Sequence, residues 1–307
     1  MKRIVYFVFA ALISLSVLLP ARAFAQEDPN RGVTLEDFPD PAFRAWVSKH
    51  VDKNKNGRLS RAEKEAVTKI RLSAAEVYDL TGIENFPNLK GLYIAGNHIK
   101  TLDLRGNPKL KTLDCTRNDL RKLDLTGCPN LVNLYCGFNP LPRLNLKYNT
   151  KLVELDCSED KLKKLDLHRN PRLTFLNCCS NQLESLDVTG CTRITTLLAT
   201  NNQLAALDVR DCPLLTYLDC NKNRIRKLDL SQNTELSALT ADHNKFKKLD
   251  ASKCRKLQWA WLDQKVAFTY YGRFKATDFW DGIRLYERKQ RASGRIRTRT
   301  AVNIFSR

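Results

Sequence analysis

One spacing governs this chain. Leu89, Leu110, Leu131, Leu152, Leu173, Ile194, Leu215, Leu236 and Leu257 fall every 21 residues. Leu92, Leu113, Leu134, Leu155, Leu176, Leu197, Leu218 and Leu239 keep the same step, as do Leu102, Leu123, Leu144, Leu165, Leu186, Leu207, Leu228 and Leu249. Asn97, Asn118, Asn139, Asn181, Asn202, Asn223 and Asn244 form a further column, broken only by Asp160. The unit is L-x-x-L-x-C-x-x-N-x-L-x-x-L-D-L-x-x-N-x-x, which residues 110–130 follow closely, and eight units start at 89, 110, 131, 152, 173, 194, 215 and 236. A degenerate 22-residue unit precedes them, with Val67, Ile70, Leu72, Val77 and Leu80 in the apolar columns.

A strict period of this length implies a solenoid, in which no unit can bury its apolar side alone and stacked units share one core. Leu113-x-Cys115 and Leu123-x-Leu125 both alternate like strands. Two short strands per coil are therefore expected, each in a parallel ladder with the next coil, and eight coils at about 4.8 Å give roughly 40 Å. The short amide of the Asn column can bond the backbone where the chain leaves the strand. Asp160 can accept such bonds but not donate them, which predicts a looser fourth coil.

These units resemble a bacterial leucine-rich repeat protein of the exported type related to the internalins, over roughly residues 36–262. The resemblance implies an α/β-type repeat solenoid with 21-residue coils, parallel β ladders and a helical N-terminal cap. It also implies a binding protein that contacts host or neighbouring-cell surfaces. The sixth position of the unit is Cys or small more often than Leu, a departure shared by short bacterial variants.

Residues 1–25 read as a secretory signal: Lys2 and Arg3, an apolar run from Ile4 to Leu19, then Ala23-Phe24-Ala25 as a cleavage site. The run is short for a membrane span, and no later stretch is long enough, so the mature chain is expected to be secreted with no transmembrane segment. Removing Lys2, Arg3 and Arg22 leaves 49 basic residues against 33 acidic, a formal +16. Such a balance favours acidic partners or surfaces without naming one. The expected boundaries are a cap over 26–66, the solenoid over 67–262, a C-terminal cap over 263–287 and a basic, disordered tail over 288–307.

Ten cysteines in an exported chain ordinarily suggest disulfides. Here Cys115, Cys136, Cys157, Cys178 and Cys220 share one inward column, and Cys128, Cys191, Cys212 and Cys254 share a second, leaving Cys179. They read as compact buried hydrophobes, with inter-coil disulfides or a metal-binding ladder as the alternatives. No C-x-x-C pair is present.

The cap carries one site motif. Residues 52–63 match a twelve-residue EF-hand loop, with oxygens from Asp52, Asn54, Asn56, the Arg58 carbonyl, Ser60 through water and bidentate Glu63. Gly57 allows the sharp turn, and 41–51 and 61–69 read as flanking helices. A single weak calcium site is one expectation. The other is that the helix–loop–helix simply caps the first coil, as solenoid ends require; the resemblance favours this, since internalin caps resemble truncated EF-hands.

Partner residues are sought on the outward, concave side of the strands. Tyr93, Tyr135 and Trp261 fall in one column, Phe175, Tyr217 and Trp259 in its neighbour, with Phe138 close by. Exposed aromatics of this kind anchor protein interfaces; the alternative is mutual stacking, with Trp259 and Trp261 covering the last coil. On the other side Asp103, Asp124, Asp166, Asp187, Asp208, Asp229 and Asp250 form an acidic ladder, with Asn145 the exception. Arg121-Lys122, Lys163-Lys164, Arg226-Lys227 and Lys247-Lys248 precede it and are expected to offset its repulsion. This face reads as a solvated charge surface or, more sharply, with the tail, as a site for an anionic polymer. An acidic glycan is favoured there over nucleic acid, because acids run through the stripe. The scattered His50, His98, His168 and His243, with no nucleophile elbow or phosphate loop, argue against an enzyme. The leading expectation is protein binding or adhesion through the concave sheet; a structural envelope protein is a third reading.

Overall fold

The computed structural model describes residues 32–263 and 265–271, with the backbone of 274–279, 282–287 and 298–301. The signal-peptide reading of residues 1–25 lies outside them. Ten strands of one parallel sheet follow the period: β1 (Lys69–Arg71), β2 (Gly91–Tyr93), β3 (Thr112–Asp114), β4 (Asn133–Tyr135), β5 (Glu154–Asp156), β6 (Phe175–Asn177), β7 (Thr196–Leu198), β8 (Tyr217–Asp219), β9 (Ala238–Thr240) and, after β10 (Lys248–Ala251), β11 (Trp259–Trp261). Each strand pairs in register with its equivalent one coil away, Leu113 on Leu134 and Leu134 on Leu155. The three leucine columns and both cysteine columns point into a single continuous core.

The second ladder does not form. Around Leu123 and Leu125 the alternation of buried and exposed residues is present, but the chain there is not strand. The intervening Asp accepts a hydrogen bond from the N–H two residues on, as Asp124 does from Thr126 at 3.0 Å. That local turn competes with ladder pairing. Only in the last coil, where the neighbour β12 (Ala267–Tyr271) is itself extended, does this side pair as strand, β10 on β12. β12 also accepts β15 (Thr298–Ala301) on its other side, so β12 is the central strand of this sheet. Those four residues are all that is described of the 288–307 tail.

The coil turns share an unusual backbone. Arg117, Phe138, Glu159, Ser180, Asn201, Lys222 and His243, like Gly96, all have φ between 51° and 69°. A left-handed non-glycine residue costs about 1–2 kcal/mol. The next residue in every coil belongs to the Asn column (Asp160 in the fourth) and provides the compensation. Asn118 takes the Ile99 N–H of the preceding coil on Oδ1 (3.0 Å) and gives Nδ2 to the Ile94 and Cys115 carbonyls (2.9 and 3.0 Å). Asn139, Asn181, Asn202, Asn223 and Asn244 repeat the arrangement.

At the N-terminal end, α1 (Pro41–His50) and α2 (Arg61–Ala66) flank the cap loop. Buried Asp40 caps α1 through the Phe43 N–H (2.9 Å) and with its second oxygen takes the Tyr78 and Asp79 N–H groups (2.7 and 3.2 Å). One carboxylate thereby ties the helix to the degenerate coil. Phe38 packs edge-on to Phe43 at 5.3 Å and stacks on Phe86 at 5.8 Å. Gly82 is required beneath them: its φ is 99°, and a Cβ there would lie 2.6 Å from Phe38. At the other end Asp263 stands in for a missing coil, accepting from the N–H groups of His243 (2.9 Å) and Asn244 (3.3 Å).

Candidate binding surface

The sheet register places the sequence-named aromatics. One outward column runs Tyr93, Asp114, Tyr135, Asp156, Asn177, Leu198, Asp219, Thr240, Trp261; the other runs Gly91, Thr112, Asn133, Glu154, Phe175, Thr196, Tyr217, Ala238, Trp259. All six strand aromatics are half-buried on this face. Phe138 is not on a strand; its left-handed turn leaves it 42% exposed, with the Arg117 guanidinium 4.7 Å above its ring. Tyr217 and Trp259, two coils apart, approach to 5.9 Å between ring centroids, so stacking and exposure coexist there. Arg71 lies 4.4 Å over the Tyr93 ring.

Charge on this face is one-sided. From β2 to β11 the two columns hold Asp114, Glu154, Asp156 and Asp219 and no Lys or Arg, in a chain of formal charge +19. The Tyr135 hydroxyl bonds Glu154; burial, then that carboxylate, pushes the phenol well above its usual range. Asp156 accepts from Asn177 Nδ2 at 3.0 Å and from the Ser158 hydroxyl at 2.7 Å. Burial likewise raises Tyr217, with Asp219 adding to it. The face can therefore offer aromatic area together with fixed negative charge, a combination suited to a partner presenting Lys, Arg and apolar groups.

On the other side, the basic doublets act on the Asp ladder only at a distance, as Lys122 does on Asp124, and the direct pairs are made by other residues. Arg105 chelates Asp103 and Arg210 chelates Asp208, each closest at 2.6 Å, and His168 bonds Asp166. Those two Arg bonds hold Asp103 and Asp208 down at about 2. The partner lies two residues after the acid, a spacing the sequence reading passed over. The second Asn of the repeat unit forms a further amide column. Asn107, Asn149, Asn170 and Asn233 share it with Cys128, Cys191, Cys212 and Cys254, and both residue types donate to carbonyls of the preceding coil. All ten cysteines are free thiols, nine of them buried, and burial raises their pKa, to about 11 for Cys179 and Cys191 and about 12 for Cys128, Cys212 and Cys254.

In the cap loop, the side chains of the calcium pattern are engaged by the chain itself. Asp52 accepts from the Asn56 and Gly57 N–H groups (3.2 and 2.9 Å), Asn54 from Asn56 (3.1 Å) and Asn56 from Arg58 (2.9 Å). Glu63 accepts from Lys53 N–H (2.8 Å) on one oxygen and from Ser60 N–H and hydroxyl (2.9 and 2.7 Å) on the other. The Ser60 hydroxyl bond, then its N–H, lowers the Glu63 pKa. Among the described residues no three His, Cys, Asp or Glu side chains converge as a metal site. The loop closes on its own donors, which fits a cap turn; the calcium expectation rests on residue types alone.

A family model described as the leucine-rich repeat domain of the endo-β-N-acetylglucosaminidase EndoS matches residues 38–181, a little under half of the chain. No curated protein matches significantly. Among solved structures, the functional domain of InlJ from Listeria monocytogenes, described as including a cysteine ladder, is similar at 24% identity and a TM-score of 0.61, over 77% of this chain and 63% of that one. A leucine-rich repeat protein of Leptospira interrogans is similar at 21% identity and 0.61, over 64% of this chain and 55% of that one. The chain thus spans less than two thirds of either. Internalin C2 of Listeria monocytogenes is similar at 19% and 0.59, over 78% of this chain and 98% of that one. Among the described residues no helix is long and apolar enough to cross a membrane.

Proposed function

We propose that this chain, a bacterial leucine-rich repeat solenoid of internalin-like fold and hence a protein-binding scaffold, is secreted and attaches to a protein on a host or neighbouring cell through the outward face of its sheet. The observation that carries the reading is the pair of outward columns. Tyr93, Tyr135, Phe175, Tyr217, Trp259 and Trp261 are spaced along nine consecutive sheet strands whose own outward positions, from β2 onward, hold no Lys or Arg. Aromatic anchors of this kind contribute about 2 kcal/mol or more each when a partner covers them. The flanking carboxylates select a basic partner and speed its encounter.

The test is attachment of the purified protein to epithelial cells at physiological salt, with and without protease shaving of the cells. Attachment should be lost on shaving. The double substitution Tyr135→Ala/Tyr217→Ala, which changes no charge, should weaken it at least tenfold. Unchanged attachment of that variant would sink the reading, and attachment that survives shaving would point to glycan or lipid instead.

A further inference from the structure

The Asp ladder is neutral at one coil only, Asn145. The turn there does not require an amide: Asn145 Oδ1 accepts the Lys147 N–H at 3.1 Å, as Asp124 accepts that of Thr126 at 3.0 Å. What the exchange changes is charge. Asn145 lines a groove of about 680 Å³ whose walls carry Arg143, Lys147, Lys161, Lys163, Lys164 and Arg169 against the single acid Asp166. Asp166 is itself bonded to His168. Arg143, Lys161, Lys163 and Lys164 form no ion pair among the described residues, whereas Arg105 and Arg210 are chelated by the Asp that Asn145 replaces. The volume is that of a small-ligand pocket.

We propose that this groove binds a short segment of an anionic glycan, bearing sulfate or uronic-acid groups, independently of the sheet face. The cations are bounded. Arg121-Lys122 precede the groove by one coil, and the equivalents of Lys163-Lys164 in the next two coils are Glu184-Ser185 and Ala205-Ala206. The groove itself is lined by two coils, and with the Arg121-Lys122 coil beside it the cations extend over about 10 Å. That length suits a few densely charged sugars and is short for the continuous phosphate track of a duplex. None of the lining residues is aromatic, so the groove offers no stacking platform for the bases of a single strand. Lysines, which dominate the walls, give strongly hydrated point charges that adapt to anions in varied positions.

The test is calorimetric titration of the purified full chain with a heparin-derived hexasaccharide at low and physiological salt. Binding should weaken with salt. Asn145→Asp should lower affinity at least fivefold with an unchanged melting temperature, because neighbouring coils already carry Asp in the same turn. Lys163→Ala/Lys164→Ala should lower it further, and Arg226→Ala/Lys227→Ala, three coils away, should leave it unaltered. Absence of binding, native affinity in Asn145→Asp, or an equal loss in the distant pair would each overturn the site. A single-stranded oligonucleotide of equal charge that displaces the hexasaccharide would overturn the ligand class.

Discussion

Each coil has two amide columns, one at the exit of the strand and one on the far side, and they differ in what each amide does. The strand-side Asn is used at both ends: Asn139 Oδ1 accepts the Leu120 N–H and its Nδ2 donates to the Cys115 and Cys136 carbonyls. The far-side Asn works only as a donor. Asn170 gives Nδ2 to the Leu146 and Asn149 carbonyls, while Oδ1 of Asn107, Asn170 and Asn233 meets no partner. The far side accordingly accepts Cys, a weak donor with little need of an acceptor bond, in four coils. The strand side accepts no hydrophobe and a single Asp. Tolerance follows the number of backbone groups a side chain must satisfy, not its burial, since both columns are buried.

The sharpest way to break that contrast is Asn139→Ala. It strands an N–H and two carbonyls in the core, and unfolding in urea should show a loss of about 3–5 kcal/mol. A loss below about 1 kcal/mol would remove the distinction. Next in size is Asp160→Asn. The native Asp160 takes the Asn139 N–H on Oδ1, but its Oδ2, where an Asn would carry NH₂, has no partner. Burial raises its pKa from 3.8 to about 8. The folded chain therefore holds a proton that the unfolded chain has released between those values. Stability contributed by this residue is greatest below about pH 4, falls as pH rises to about 8, and is level above. Asp160→Asn should add on the order of a few kcal/mol at pH 8 and progressively less towards pH 4; a gain independent of pH would refute the protonation account. The smallest effect belongs to Asn170→Cys, which copies the residue of the next coil, Cys191, and should change stability by less than about 1 kcal/mol.

The sequence made the strand side legible because there one residue column answers to one structural role. Leucine spacing gave the register, and the register placed all six strand aromatics on one face. The far side was misread where spacing underdetermines bonding. Alternation at Leu123 and Leu125 predicted burial correctly but not a ladder, because the Asp between them spends its carboxylate on a local turn. Asp103 and Asp208 stand in coils with no basic doublet before them, and their partners Arg105 and Arg210 come two residues after. The left-handed column, occupied by Arg, Phe, Glu, Ser, Asn, Lys and His, has no residue signature, since the following residue's bonds impose the conformation. Asp40 was equally hidden: its link to Tyr78 and Asp79 joins residues 38 and 39 positions apart in sequence.

Each residue of the Asn column holds its own strand exit and reaches back to the coil before it, with Oδ1 and one Nδ2 hydrogen bond. Asn118 completes the turn of the coil that holds Ile94 and Ile99, and Asn244 does the same for Ile225. The backbone bonds of each coil are thus completed by residues of its successor, so that no coil is self-sufficient. At the last coil Asp263 takes the His243 and Asn244 N–H groups, whose equivalents Lys222 and Asn223 give theirs to carbonyls of the following coil.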